Sequence, residues 1–179
     1  MFPFNKFPTD GVYLSPEMKS TGEVMGLDVG LGGAYAKAEM GAGTNLPTSG
    51  VVFISVNDND KLNAVSIARD YLELGFTLLA TKGTCHFLHQ NGIAADTINK
   101  VGEGRPNVAD AIAKGAVQLV INTPLGAQAR TDESAIGESG IRYGVPVITT
   151  LSAARAMIRA IRRVQTGNFQ VQSLQELFG

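Results

Sequence analysis

Val51-Val52-Phe53-Ile54-Ser55-Val56, then Asp58-Asn59-Asp60, then Leu62, Val65, Ala68, Arg69 and Leu72 at helical spacing, then Gly75 and Phe76-Thr77-Leu78-Leu79-Ala80-Thr81 follow one another without interruption. A short apolar run bounded by turn residues reads as a buried strand. The carboxylates after it supply a helix N-cap, and the glycine after the last periodic residue supplies a stop. The order is therefore strand, helix, strand, and the cycle continues. Thr84 to Gln90 reads as a helix stopped by Asn91-Gly92, Thr97 to Val101 as a short strand, and Asn107 to Lys114 as a helix ended by Gly115. Val117 to Thr123 and Val145 to Thr150 read as strands, and a long helix is expected from Ser152, as N-cap, to about Gln165. Strands alternating with helices of this length imply parallel βαβ units, because a parallel pair needs a crossover of that kind. The expected fold is a doubly wound α/β domain with about five parallel strands and helices on both faces.

Upstream of Gly50 the texture changes. Residues 1 to about 49 are rich in Gly, Pro, Ser and Thr, with one short periodic stretch from Ala34 to Met40. Gly26-Leu27-Asp28-Val29-Gly30-Leu31-Gly32-Gly33 hints at a dinucleotide loop. It follows no convincing strand, however, and no acidic residue comes at the required distance after a second strand, so it reads as a linker.

Composition narrows the function classes. The 179 residues suit one full domain with room for an appendage, at roughly 100–200 residues per domain. With 44% hydrophobic residues there is enough apolar material for a core, and disorder is not expected. Fifteen basic against 16 acidic residues leave a formal charge of −1, which argues against a dedicated nucleic-acid binder. The single Cys85 excludes an internal disulfide and a multi-cysteine zinc site. No apolar run approaches the roughly 20 residues needed to span a bilayer, and the N-terminus lacks a signal-peptide pattern, so a cytoplasmic location without membrane contact is expected.

In a doubly wound sheet, ligands bind in the crevice outside the carboxyl ends of the strands. The residues there are Ser55-Val56-Asn57, Ala80-Thr81-Lys82-Gly83-Thr84, Asn99-Lys100, Asn122-Thr123 and Thr149-Thr150, among which there is no carboxylate. Thr81-Lys82-Gly83-Thr84 joins a strand to a helix. Its glycine admits close backbone approach, the helix start offers free N–H groups, and two hydroxyls and an ammonium flank them, as a phosphate cradle requires. Lys61 and Lys100 are placed to add positive charge. Cys85, His86 and His89 share one short helix without the further ligands a metal would want, so no metal site is expected. Arg155, Arg159, Arg162 and Arg163 form a basic stripe that reads as a solvated or interface face. Asp132-Glu133 read as the start of a helix.

The same strings carry a resemblance. Phe2-Pro3-Phe4-Asn5-Lys6-Phe7-Pro8 and Pro16-Glu17-Met18-Lys19-Ser20-Thr21-Gly22-Glu23-Val24-Met25-Gly26 resemble the closing stretch of the large chain of carbamoyl-phosphate synthase. The likeness continues through Gly75-Phe76, Ala80 to Thr84, Asn99-Lys100-Val101, Glu103-Gly104-Arg105-Pro106-Asn107 and Ile121-Asn122-Thr123-Pro124, to about residue 165. It implies that residues 1–45 are the tail of the second ATP-grasp synthetase half with a linker, and that 46–179 are the methylglyoxal-synthase-like allosteric domain. In bacterial members that domain binds nucleotides, UMP inhibiting and IMP activating, and ornithine activates from the junction with the synthetase half.

Carried over by position, the resemblance implies a nucleotide site of Ser55, Lys61, Thr81, Thr84, Lys100, Asn122 and Thr123. Lysines and threonines would hold the phosphate, and Asn122 would position ribose or base. Pro124 stands where some members have a threonine ligand. A partial ornithine site would draw on Asp132, Thr149 and Thr150. No cofactor is implied in this segment, although the parent ligase uses ATP with Mg or Mn and works with a glutaminase small chain. Self-association through this domain occurs among relatives. Gly137-Glu138 replace a common Arg-Arg, and Gly140 replaces a common Ala, so the helix from Asp132 is expected to be short or frayed. The Met1 start suggests a separately expressed piece or a split gene.

Two enzymes of related fold are the alternatives. A methylglyoxal-synthase-type lyase needs carboxylates to move protons on a triose phosphate. Where that family has its catalytic aspartates this chain has Arg105 and Thr123, and a guanidinium is no base at neutral pH. A purine-pathway cyclohydrolase domain has no place for the Glu17-to-Val24 segment.

Overall fold

Five parallel strands in the order β3-β2-β1-β4-β5 form the centre of the chain. The computed structural model describes residues 24–125, 129–167, 173 and 175–176. The strings before Val24 on which part of the resemblance rests lie outside them. The elements are α1 (Leu31–Gly41), β1 (Gly50–Val56), α2 (Lys61–Glu73), β2 (Phe76–Thr81), α3 (Lys82–Gln90), β3 (Asp96–Ile98), α4 (Val108–Ala113), β4 (Leu119–Thr123), α5 (Ala129–Tyr143), β5 (Val147–Ile148) and α6 (Leu151–Gln165).

The apolar runs of β1 and β4 are continuous because both of their faces are covered. Val52 and Ile54 of β1, with Leu119 and Ile121 of β4, face the core built on α2, α3 and α6. The alternate residues Phe53 and Val120 face a second core with Val108, Ile112, Val117 and Ile136 from around α4 and α5. Period-two alternation thus sends one strand's side chains into two cores, and burying a Phe or Ile in either contributes about 1.5–3 kcal/mol. Tyr71 of α2 closes the first core with its ring edge-on to Phe76, centroids 5.7 Å apart.

The expected doubly wound α/β sheet is present, with differences at its margins. The strand expected over 97–101 is Asp96–Ile98, because Val101–Glu103 curls into a 3-10 turn in which the Glu103 carboxylate accepts from the Lys100 N–H at 3.2 Å. The strand expected over 145–150 is only Val147–Ile148. Pro146 has no N–H for a ladder, and Thr150 turns away to cap α6. The cap of α6 is Thr150, whose Oγ1 accepts from the Ala153 N–H at 3.2 Å, and not Ser152. The helix through Asp132 is not short: α5 has 15 residues. Gly140 is what its packing requires, since a Cβ there would collide with Val147 Cγ2 and come within 2.9 Å of the Val145 carbonyl oxygen.

The periodic stretch near Ala34 belongs to a longer helix, α1, laid against α6. The crossing is close, since a Cβ on Gly32 would sit 2.6 Å from the Arg159 carbonyl oxygen, and Ala36 is fully buried. Asp28 reads out the linker-like glycine segment: its carboxylate pairs with Lys37 of α1 at 2.8 Å and lies where a Gly33 side chain would be. Among the described residues no helix is long and apolar enough to cross a membrane.

Candidate functional site

Strand order reverses between β1 and β4, the point at which the carboxyl ends of parallel strands open a crevice. The pairing sets Ser55 beside Asn122 and Val56 beside Thr123. Asn57, one residue past β1, staples the two strands there. Its N–H donates to the Thr123 carbonyl at 3.2 Å, and its side-chain amide donates to the same carbonyl at 3.1 Å and to Asp60 Oδ2 at 2.7 Å.

A chain of hydroxyls crosses to β2. Thr81 Oγ1 lies 3.4 Å from Ser55 Oγ and 3.3 Å from Thr84 Oγ1, which itself accepts from the Val56 N–H at 3.3 Å. Both threonines are buried, so the loop between β2 and α3 is held to β1 from beneath. Thr81 occupies the N-cap position of α3 without a side-chain cap bond, because its hydroxyl is committed to this chain. The first turn of α3, with exposed Lys82 and Gly83, therefore faces the crevice mouth with its N–H groups uncapped by a side chain.

Lys61, at the start of α2, hangs over that turn. Its ammonium is 3.9 Å from where a Gly83 Cβ would be, and it lies 6.0 Å from the Phe87 ring centroid. It also pairs with Asp58 Oδ1 at 2.7 Å. The hydrogen bond from Lys61, then its charge and that of Lys100, hold the Asp58 carboxyl below the usual carboxylate range. The Asp58 side chain is 91% exposed, so it can swing away.

Ser55, Asn57, Thr81, Lys100, Asn122 and Thr123 together line a cavity of about 140 Å³. Its other wall is apolar: Phe53, Val108, Pro124, Leu125 and Ile136. Of the residues singled out in the sequence, the structure gathers Ser55, Thr81, Lys100, Asn122 and Thr123 in the cavity. Lys61, Lys82, Gly83 and Thr84 do not line it: Thr84 is buried beneath the β2–α3 turn, and Lys61, Lys82 and Gly83 stand on or over that turn. The strand-end reading names Asn57 without a role, although an Asn ahead of Asp-Asn-Asp carries an Asx-turn signal, seen here as Asn59 N–H donating to Asn57 Oδ1 at 3.0 Å. The apolar wall had no such signal, since it is assembled from four separate segments.

Thr149 and Thr150 are elsewhere, beyond β4 at the edge strand. Thr149 lines a separate hollow of about 240 Å³ with Tyr35, Glu39 and Thr44, while Thr150 is spent on capping α6. Burial, then the Glu39 carboxylate, pushes the Tyr35 phenol up to about 12. Asp132 falls within α5, and its side chain lies outside the described residues. Cys85 and His89 tie α3 to the approach of β3: Thr97 Oγ1 donates to Cys85 Sγ at 3.0 Å, and His89 Nε2 is 2.9 Å from the Ala95 carbonyl. No cluster of three or more His, Cys, Asp or Glu side chains placed to hold a metal occurs among the described residues.

Residues 63–149 match the MGS-like domain family. The chain is 51% identical over 177 residues to the carbamoyl phosphate synthase large chain of Archaeoglobus fulgidus, covering 98% of this chain and 16% of that protein. It is 48% identical over 176 residues to the large chain of a Nostoc species, covering 98% and 16%, and 49% identical over 177 residues to that of Acidobacterium capsulatum, covering 99% and 16%. The chain thus spans about 16% of the length of the curated relatives it matches. Residues 63–149, which hold β2 to β5, thus match an MGS-like domain, and the chain is similar along nearly its whole length to one part of the carbamoyl phosphate synthase large chain.

Proposed function

We propose that the chain is the allosteric segment of a carbamoyl phosphate synthase large chain and binds a nucleoside monophosphate effector, such as UMP or IMP, in the β1–β4 crevice. The phosphate meets the Thr81–Thr84 turn, Lys61 and Lys100, while Asn122 and the apolar wall receive ribose and base. The observation that carries this reading is the make-up of the cavity: hydroxyls, amides and an ammonium on one side, apolar side chains on the other, at the place where strand order reverses. A phosphorylated ligand with a flat, weakly polar end suits both walls.

The lining offers no carboxylate or imidazole to take up a proton, and the nearby Asp58 is engaged by Lys61, which favours binding over a lyase reaction. In the parent ligase, which would use ATP with Mg or Mn and receive ammonia from the glutaminase small chain, the segment acts through the rest of the large chain. An effector that orders the strand-end loops in one of two conformers shifts the equilibrium between them. Couplings of this kind amount to about 1–3 kcal/mol. Thr149, with Asp132, contributes part of an ornithine site whose remaining contacts come from the synthetase half. Thr150 serves that site by fixing the turn into α6. The cytoplasm is the compartment in which these substrates meet.

Calorimetric titration with UMP, then IMP, tests the reading. Saturable binding of one nucleotide, weakened by salt and absent for the bare nucleoside, is the expected result. No binding of either by the folded chain, or turnover of dihydroxyacetone phosphate, would overturn it.

A further inference from the structure

A second charged feature lies on the opposite side of the first core, where α1 crosses α6. Arg159, Arg162 and Arg163, at i, i+3 and i+4 on one face of α6, border a surface hollow of about 470 Å³ with Gly30, Gly32 and Thr166. That is more than three times the volume of the strand-edge cavity. The helix that carries them, Leu-Ser-Ala-Ala-Arg-Ala-Met-Ile-Arg-Ala-Ile-Arg-Arg-Val-Gln, contains no acidic residue. Arg155, Arg159 and Arg163 therefore stack at successive i, i+4 positions, where like charges disfavour the helix. The dipole of α6 accounts for Arg162 and Arg163 in the last turn but not for Arg155 and Arg159.

None of the three hollow-lining arginines has an ion-pair partner among the described residues. The one carboxylate in the wall, Asp28, is already paired with Lys37 at 2.8 Å. The two helices that form the hollow cross closely, since a Cβ on Gly32 would sit 2.6 Å from the Arg159 carbonyl oxygen. A concavity with three guanidiniums on one wall, none of them ion-paired among the described residues and only Arg163 within the field of Asp28, presents positive charge that an external anion would neutralise.

We propose that this hollow is a second anion site, separate from the strand-edge crevice, that takes an oligophosphate group, a di- or triphosphate. Guanidinium forks grip phosphate oxygens in pairs, and three of them spread over more than a helical turn match a chain of phosphates better than a single one. Gly30, where a side chain would meet nothing within 4 Å, lets a charged ligand come close to the backbone.

Tripolyphosphate is the probe, titrated into the chain at low ionic strength by calorimetry and by amide chemical shifts. Binding is expected with shifts at Gly30, Gly32 and Thr166, and orthophosphate should bind more weakly. Replacing both exposed arginines, Arg159→Gln with Arg162→Gln, should weaken tripolyphosphate roughly tenfold or more, as the loss of charge-assisted hydrogen bonds implies. Lys61→Ala, which alters the strand-edge crevice, should leave that affinity unchanged, so this site and the nucleotide crevice can fail independently. ATP binding with the same arginine dependence would place the phosphates on a nucleotide and support the site. Binding that follows Lys61→Ala and ignores the arginines would overturn it, as would the absence of saturable binding. A polyglutamate peptide that binds the arginines more tightly than tripolyphosphate would overturn it in favour of an acidic protein surface.

Discussion

Lys61 answers to two anions. Its ammonium stands over the Gly83 turn, where a ligand phosphate would come, yet Asp58 already holds it at 2.7 Å. A carboxylate so placed competes with the ligand. The hydrogen bond from Lys61 and the field of Lys100 keep the Asp58 carboxyl below the ordinary carboxylate range. What Asp58 adds to stability is therefore complete above its ordinary pKa and is lost only as pH falls through the lowered value. At neutral pH the competitor is always ionised, and only substitution removes it. Asp58→Asn is expected to tighten phosphate and nucleotide binding roughly two- to fivefold, the scale of an exposed ion pair, with the gain shrinking as salt is added. Lys61→Ala should do the opposite and weaken binding about tenfold, while the melting temperature of either variant stays within roughly 2 °C of the parent. Titration calorimetry with thermal melts checks both. Equal losses in the two variants would mean that Asp58 assists the ligand. Neither role is visible in the sequence, because an Asp three residues before a Lys is also an ordinary helix-start pair.

At the scale of elements, what was legible follows from how many strands an element touches. β1 and β2 lie inside the sheet, and their apolar runs, 51–56 and 76–81, give their limits to within one residue of Gly50–Val56 and Phe76–Thr81. β3 and β5 are edges, with one neighbour each, and there local chemistry wins over apolar run length: the Glu103–Lys100 turn on one side, Pro146 and the Thr150 cap on the other. The cap gives a direct comparison. Thr150→Ala should cost about 1 kcal/mol in chemical denaturation, within the usual N-cap range, and Ser152→Ala less than about 0.5 kcal/mol. If Ser152→Ala proves the costlier, the cap is misassigned. Gly140 shows the limit of propensity. Alanine in mid-helix should gain roughly 1 kcal/mol over glycine, but here its Cβ would press on Val147 and on the fixed Val145 carbonyl at 2.9 Å. The overpacking cost, about 1–3 kcal/mol, outweighs the gain, so Gly140→Ala is expected to destabilise the chain net and lower its denaturation midpoint.

For the whole molecule, the crevice was legible and its surroundings were not. Reading one edge of a parallel sheet picks out Ser55, Thr81, Lys100, Asn122 and Thr123 because topology alone brings strand ends together. The apolar wall depends on Phe53, which points to the other core, and on Val108 and Ile136 from α4 and α5, a juxtaposition that only packing creates. The same holds for α1. Composition sets residues 1 to about 49 apart from the rest, yet α1 lies against α6, with Ala36 fully buried and Tyr35 packed on the first core. Burial of this size is worth about 2–3 kcal/mol, counting a small and a half-buried large side chain together with the Gly32 crossing. A chain starting at residue 46 should therefore fold, because both cores that hold the sheet remain, but with a stability lower by about that amount. Its strand-edge crevice contains no residue of α1, so nucleotide affinity should be unchanged, whereas tripolyphosphate binding at the arginines should weaken along with the missing wall. Denaturation curves and both titrations on the shortened chain decide the matter. Undiminished stability would mean that α1 rests on α6 without supporting it. Loss of nucleotide binding would mean that the crevice depends on α1 through the sheet.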